Sequence, residues 1–152
     1  MWDDFDEEHD WDSEGEFDPE SKGDRTFSHP LMKKAFEIVS LTHAIVGSLD
    51  EARKELYGNM MMGDAMILGA KFSGAEGVDD YILKMENATL MKIHARSLRT
   101  MTYQLAMEET HAEEHLQLLR KEIDEFKLLF VEWIQTFDPT DRYDDGWGLF
   151  LT

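Results

Sequence analysis

The stretch "EETHAEEH", residues 108–115, sets Glu108, His111 and His115 at spacings of three and four. Carboxylate-bridged di-metal bundles take Glu-x-x-His from each of two helices and one further glutamate from each of the other two. Glu108-x-x-His111 matches half of that pattern, and the predicted helices hold no second copy. Thr110-His-Ala-Glu113 also fits a capping box, in which a hydroxyl and a glutamate satisfy the free N–H groups of a helix start. That reading begins a helix at 111 and leaves Glu108 off the face that carries His111. Glu113 and Glu114 then meet the positive end of the helix dipole. His111 and His115, four apart, keep the spacing to chelate an adventitious divalent ion.

A second candidate metal site joins different helices. His43 and His94 lie on predicted apolar stripes, and counting from turns near 48 and 74 puts them at a similar level, near Glu55 and Glu122. Two histidines with two carboxylates suit zinc or iron. Asp64, Glu86 and Asn87 form another polar layer. The competing expectation is that such groups hydrogen-bond in the core and fix helix register. Met60, Met61, Met62 and Met66 offer soft thioethers to copper, but successive residues point around a helix, and methionine commonly fills cores and interfaces. The ligand sets are incomplete, so no metal or other cofactor is expected; zinc, iron or copper belongs to the alternative reading.

Long helices must position these groups. From His29 to Phe137 no alternating run marks a strand, and proline is absent between Pro30 and Pro139. Ser48-Leu-Asp-Glu51 and Ser73-Gly-Ala-Glu76 repeat the capping-box pattern, although Gly74, Gly77 and Asp79 offer competing caps for the third helix. The predicted helices run over roughly 30–47, 49–72, 75–106 and 111–137. The first has the stripe Leu31, Ala35, Ile38, Thr42, Ile45 and Leu49, and the fourth Ala112, Leu116, Leu119, Ile123, Phe126, Phe130, Trp133 and Phe137. The third offers Leu83, Leu90, Met91, Ala95, Leu98, Met101 and Leu105. The second is less regular, with Ala52, Leu56, Met60, Met66, Ile67 and Ala70 among three glycines. Short connections predict an all-α, up-down-up-down antiparallel four-helix bundle over 29–138.

The ends differ from the bundle. The net charge is −18, and residues 1–28 carry twelve Asp or Glu against Lys22 and Arg25. Trp2, Phe5, Trp11, Phe17 and Phe27 are spaced through that acid. The composition predicts an acidic tail over 1–28, disordered or docked, whose Trp2 and Trp11 are candidates for binding a partner. The extension 139–152 places Trp147 and Phe150 as further partner-binding candidates that could instead pack on the bundle.

ENATLMKIHARSL (86–98) followed by EIDEFKLLFVEWIQTFD (122–138) resembles a family of uncharacterised bacterial four-helix proteins. The resemblance covers the bundle. It implies that fold and a bacterial setting, and it carries no activity or site.

The absence of cysteine excludes disulfides and thiolate chemistry, and the acidic N-terminus lacks the order of a signal peptide. With no apolar run long enough for a spanning helix, the expectation is a soluble, cytoplasmic protein without membrane contact. The charge disfavours nucleic acid and favours a basic partner protein or a second copy, a homodimer being the simplest assembly. No phosphate loop or catalytic triad is present. The expected function is a non-catalytic binding or scaffold bundle that self-associates. The alternative is a ferritin-like or oxidase-like metal-binding bundle near His43 and His94. Lys92, Arg96 and Arg99 make a small basic patch suited to acid from a neighbouring helix or from the tail.

Overall fold

The computed structural model describes residues 19–150, and among these there are helices and no strands. Helix α1 spans Pro19–Ser28 and α2 Pro30–Gly47. A short α3, Glu51–Arg53, passes through a π turn, Lys54–Gly58, into α4, Asn59–Glu76. Helices α5 (Tyr81–Met107) and α6 (Glu113–Ile134) follow, then a 3-10 turn at Pro139–Asp141. Helix α2 packs on α4 and α6, and α5 packs on α4 and α6. The result is a helical bundle. Residues 19–28, expected within the acidic tail, form a helix joined to α2. The rest of that tail, with Trp2 and Trp11, lies outside the described residues.

The breaks between helices come where polar residues interrupt the pattern, but the capping residues differ from those expected. Asp50 rather than Ser48 caps α3, accepting from the Arg53 N–H at 3.0 Å. Ser48 ends α2 instead. The Ser73–Glu76 segment continues α4, because an uninterrupted ladder reaches Gly77 and leaves Ser73 no free N–H groups to cap. Asp80 caps α5, accepting from Leu83 N–H at 2.9 Å.

The core follows two predicted stripes closely. In α2 and just beyond it, Leu31, Ala35, Ile38, Thr42, Ile45 and Leu49 are all buried, whereas His43, also placed on the apolar side, is exposed. In α6 the buried apolar side chains are Leu116, Leu119, Ile123, Phe126 and Trp133, with Phe137 just beyond the helix and Phe130 half-buried. Ala112 is exposed. In α5 Leu83 and Leu90 are exposed, while Ala88 and Met91 point inward.

The second helix corrects the expectation most. Ala52, Leu56, Met60, Met66 and Ala70 are exposed and Ile67 is half-buried. The core face is Met61, Asp64, Ala65, Leu68, Phe72 and Ala75. The physical reason is that α4 has little polar residue content to mark an outer side. Runs such as Met60-Met61-Met62 and Met66-Ile67-Leu68 make several phases equally apolar, so only contact with the neighbours selects one. The π turn adds to this by slipping the helix phase locally. There Gly58 is buried, and a Cβ on it would lie 3.1 Å from Val46 Cγ1, so the turn lies close against α2. Outward-facing apolar residues on α4 are the consequence.

Candidate functional site

The "EETHAEEH" stretch joins two helices: Glu108, Glu109 and Thr110 close α5, and Glu113, Glu114 and His115 begin α6, with both glutamates in its first turn as expected. Glu109 has φ 55, and the N–H groups of Thr110 and Glu109 donate to Leu105 O at 3.2 Å and Ala106 O at 3.1 Å. This is a Schellman closure with glutamate where glycine is favoured. The Thr110 hydroxyl also turns back to Leu105 O, so the expected Thr110 cap is absent. Ala112 occupies the α6 N-cap without a side-chain bond, and Glu113 pairs with Arg120. Because glycine accepts a left-handed backbone without the Cβ penalty, Glu109→Gly should stabilise the fold by about 0.5–1 kcal/mol in urea unfolding.

Glu108 and His111 have separate jobs in this turn. The Glu108 carboxylate accepts from the Tyr57 hydroxyl (2.8 Å), Gln104 Nε2 (3.1 Å) and Arg53 Nε (3.2 Å). The Tyr57 bond leads the effects that lower its pKa, followed by those from Gln104 and Arg53. His111 bridges Ser48 Oγ (2.6 Å, from Nε2) and Thr110 Oγ1 (2.8 Å, from Nδ1). Together these bonds tie the α2–α3 connection to the α5–α6 connection. His115 is exposed.

Burial lowers the His111 pKa, the Ile45 carbonyl opposes the shift, and nearby His115 adds to it. Its folded value thus lies below the unfolded value of about 6.5. The unfolded chain therefore takes the proton first. The stability contribution is complete above that pH and is lost as pH falls through the folded value. Thermal melts should show the wild type losing stability more steeply than His111→Asn between pH 7 and pH 5. Parallel curves would remove His111 from this role.

The other expected metal ligands are dispersed. His43 is exposed on α2 and Glu55 is exposed in the π turn. Glu122 receives Lys34 Nζ at 2.7 Å, and Glu125 and Glu37 take the same ammonium at 2.6 and 2.8 Å. Burial alone would lower the Lys34 pKa, but these three carboxylates outweigh it and raise it. His94 Nδ1 lies 2.7 Å from Asp64 Oδ1, and Ser97 Oγ donates to Asp64 Oδ2 at 2.8 Å. Asp64 is buried and both its oxygens have partners. Ser97 bonds to the carboxylate rather than to the imidazole, so the trio lacks the serine–histidine link of a nucleophilic triad. Among the described residues no three His, Asp or Glu side chains come together in a group able to hold an ion.

A cleft between α5 and α6 has the clearest chemical character. It encloses about 480 Å³. Ala95, Ile123, Phe126, Phe130 and Val131 supply apolar surface, and Lys92, Arg96, Arg99 and Lys127 supply charge, with Asp124 the one acid. Arg99 is engaged by Asp124 and by Arg120 O at 3.4 Å. Lys92, Arg96 and Lys127 have no ion-pair partner among the described residues. Farther along the same helix pair, Arg120 of α6 is buried against Tyr103 of α5, 4.0 Å from its ring, and donates to Thr102 Oγ1 at 2.8 Å. Four of the chain's fifteen cations therefore line one apolar opening in a molecule of charge −18.

No family model, curated protein or solved structure matches the chain. The site must be read from its own geometry. The basic residues on α5 were legible in the sequence, whereas Lys127 was missed. It lies on α6 at the edge of the predicted stripe, four residues after Ile123 and three before Phe130, and joins the patch through packing.

The C-terminal extension is anchored at the start of α5. Tyr143 donates to Asp80 at 2.8 Å, and Arg142 reaches Tyr81 Oη at 3.4 Å. Phe150 is half-buried against the core, while Trp147 is 81% exposed. The expected packing of the extension thus holds for Phe150 but not for Trp147 within this one chain. No helix among the described residues is long and apolar enough to cross a membrane.

Proposed function

We propose that the chain is a non-catalytic binding or scaffold protein, built as an up-down-up-down four-helix bundle, that captures an acidic, aromatic-bearing segment in its α5–α6 cleft. The single observation that carries this reading is the apolar opening edged by three cations without ion-pair partners among the described residues. Apolar walls favour ring burial, and the cations select negative charge on the flanks. The overall charge favours basic partners at long range, but screening acts over about 8–10 Å, so the local rim governs contact at the cleft. Short connections and the cycle of packing among α2, α4, α5 and α6 support the topology. The stretches behind the resemblance to bacterial four-helix proteins, 86–98 and 122–138, contain nearly all the cleft residues. The test is fluorescence anisotropy with a labelled peptide of Asp, Glu and Trp. Saturable binding is expected for it, and none for a lysine-rich counterpart; equal binding of both, or of neither, would contradict the reading.

Self-association belongs to the same proposal and uses another surface. Leu56, Met60 and Met66 on the α3–α4 segment and Leu83, Leu90 and Ile93 on α5 are exposed. Between Asn59 and Ala70 the only charged residue is Asp64, which is buried. Two copies can therefore meet along α4 without opposing like charges, which a chain of −18 otherwise imposes. Sedimentation at micromolar concentration should show a dimer, and Met60→Glu with Met66→Glu should return the monomer. A wild-type monomer at every concentration would remove self-association and leave the cleft reading intact.

A further inference from the structure

The cleft asks for acid and aromatic rings on one stretch of chain, and the sequence supplies such a stretch. Residues 1–18 contain ten Asp or Glu, no Lys or Arg, and the rings of Trp2, Phe5, Trp11 and Phe17. We propose that this segment occupies the α5–α6 cleft of its own chain as an internal pseudo-ligand, so that an external partner must displace it. The inference rests on the cleft being a binding site for acidic aromatic segments.

Three physical arguments favour this occupant. The first is charge. Among the described residues Lys92, Arg96 and Lys127 are the cleft cations without ion-pair partners, while the segment has ten carboxylates and no Lys or Arg to pair with them. The second is shape chemistry. Phe126, Phe130, Ile123 and Val131 present apolar surface beside guanidinium and ammonium groups, and aromatic rings satisfy both through burial and cation–π contact. The third is reach. From Phe5 to the start of α1 at Pro19 the chain extends up to about 45 Å at about 3.3 Å per residue. Half the girth of a bundle two helices wide is about 35 Å, given helix diameters of 10–12 Å. The tethered segment can therefore arrive from any side, at an effective concentration of about a millimolar. A second molecule at micromolar concentration competes poorly with that.

The consequence is a regulated cleft. A partner with a similar acidic aromatic motif sees an affinity reduced by the fraction of time the cleft is already filled. Salt and charge reversal weaken the internal contact and the external one alike, but only the internal one is independent of protein concentration.

Photocrosslinking in the full chain tests this. Phe5 is replaced by p-benzoylphenylalanine, and equal amounts of ¹⁴N- and ¹⁵N-labelled chains are mixed at low micromolar concentration, irradiated and mapped by mass spectrometry. The expected adducts fall in residues 92–99 and 123–131 and join fragments of one isotope. Arg96→Glu with Lys127→Glu should lower their yield by about fivefold or more through loss of charge complementarity. Adducts elsewhere, mixed-isotope adducts, or a yield indifferent to charge reversal would overturn the proposal. A parallel sample adds a free peptide of residues 1–18, carrying the same photoreactive residue, to the full chain. If the free peptide labels the cleft and the tethered segment does not, the internal pseudo-ligand falls and the binding reading survives. If neither labels it, both fall.

Discussion

Trp133→Ala is expected to lower the free energy of unfolding by about 3–5 kcal/mol, the cost of removing a large ring from a packed interior. Trp133 is almost fully buried and sits where several elements converge. Its ring lies 5.2 Å from Phe72 of α4, 5.8 Å from Phe130 and 4.7 Å from Phe137, the last edge-on. His29, at the entry to α2, rests 4.9 Å from the same Phe72. The indole N–H also donates to Glu76 Oε1 at 2.6 Å, at the end of α4. Alanine would leave a cavity among these rings and free Glu76 to turn to water. A small domain is stable by about 5–15 kcal/mol, so the loss is a large part of the total. Trp133→Phe keeps most of the volume and loses mainly the N–H bond, at about 1–2 kcal/mol. Urea unfolding followed by circular dichroism checks both. A loss below about 1 kcal/mol for alanine would mean that the aromatic cluster is not packed as described.

Arg96→Glu combined with Lys127→Glu is expected to weaken binding of the acidic aromatic probe about 10–100-fold while leaving stability within about 1 kcal/mol. Neither side chain has an ion-pair partner among the described residues, so the fold loses nothing specific. Surface substitutions of this kind usually change stability by about 0.5 kcal/mol or less each. For binding, the substitutions turn the lining charge of the cleft from +3 to −1. Each exposed charge contact contributes about 0.2–1 kcal/mol, and repulsion of similar size replaces it, giving about 1–3 kcal/mol in all. The wild-type affinity should fall as salt is raised, and the double variant should be nearly insensitive to salt. An unchanged affinity would move the ligand away from α5 and α6.

The helices whose polar and apolar faces differ sharply were legible from the sequence. In α2 and α6 charged residues mark the solvent side, and the predicted stripes are the observed core from Leu31 to Leu49 and from Leu116 to Trp133. In α4 that contrast is missing, so its phase came from tertiary contact alone. The site reading failed for a related reason. Placing the turn before the third helix near 74 set His94 level with His43, whereas the turn after Glu76 brings it beside Asp64. Counting outward from the observed turn, Asp64 and His94 stand about equally far from it, so a correct cap at Asp80 would have paired them. The Thr110 cap failed because a hydroxyl between two helices can serve either one, and here the end of α5 takes it. The cleft was half legible. Lys92, Arg96 and Arg99 recur on one side of α5 at spacings of three and four, but the apolar wall opposite them depends on how α6 is rotated against α5.

The most direct test of the cleft is a two-dimensional amide NMR titration of the full chain with the acidic tryptophan-bearing peptide. The largest shifts are expected on residues 92–99 and 123–131, saturating as peptide is raised, and are expected to vanish in Arg96→Glu, Lys127→Glu. Shifts centred instead on Leu56, Met60, Leu90 and Ile93, with residues 123–131 unmoved, would contradict it.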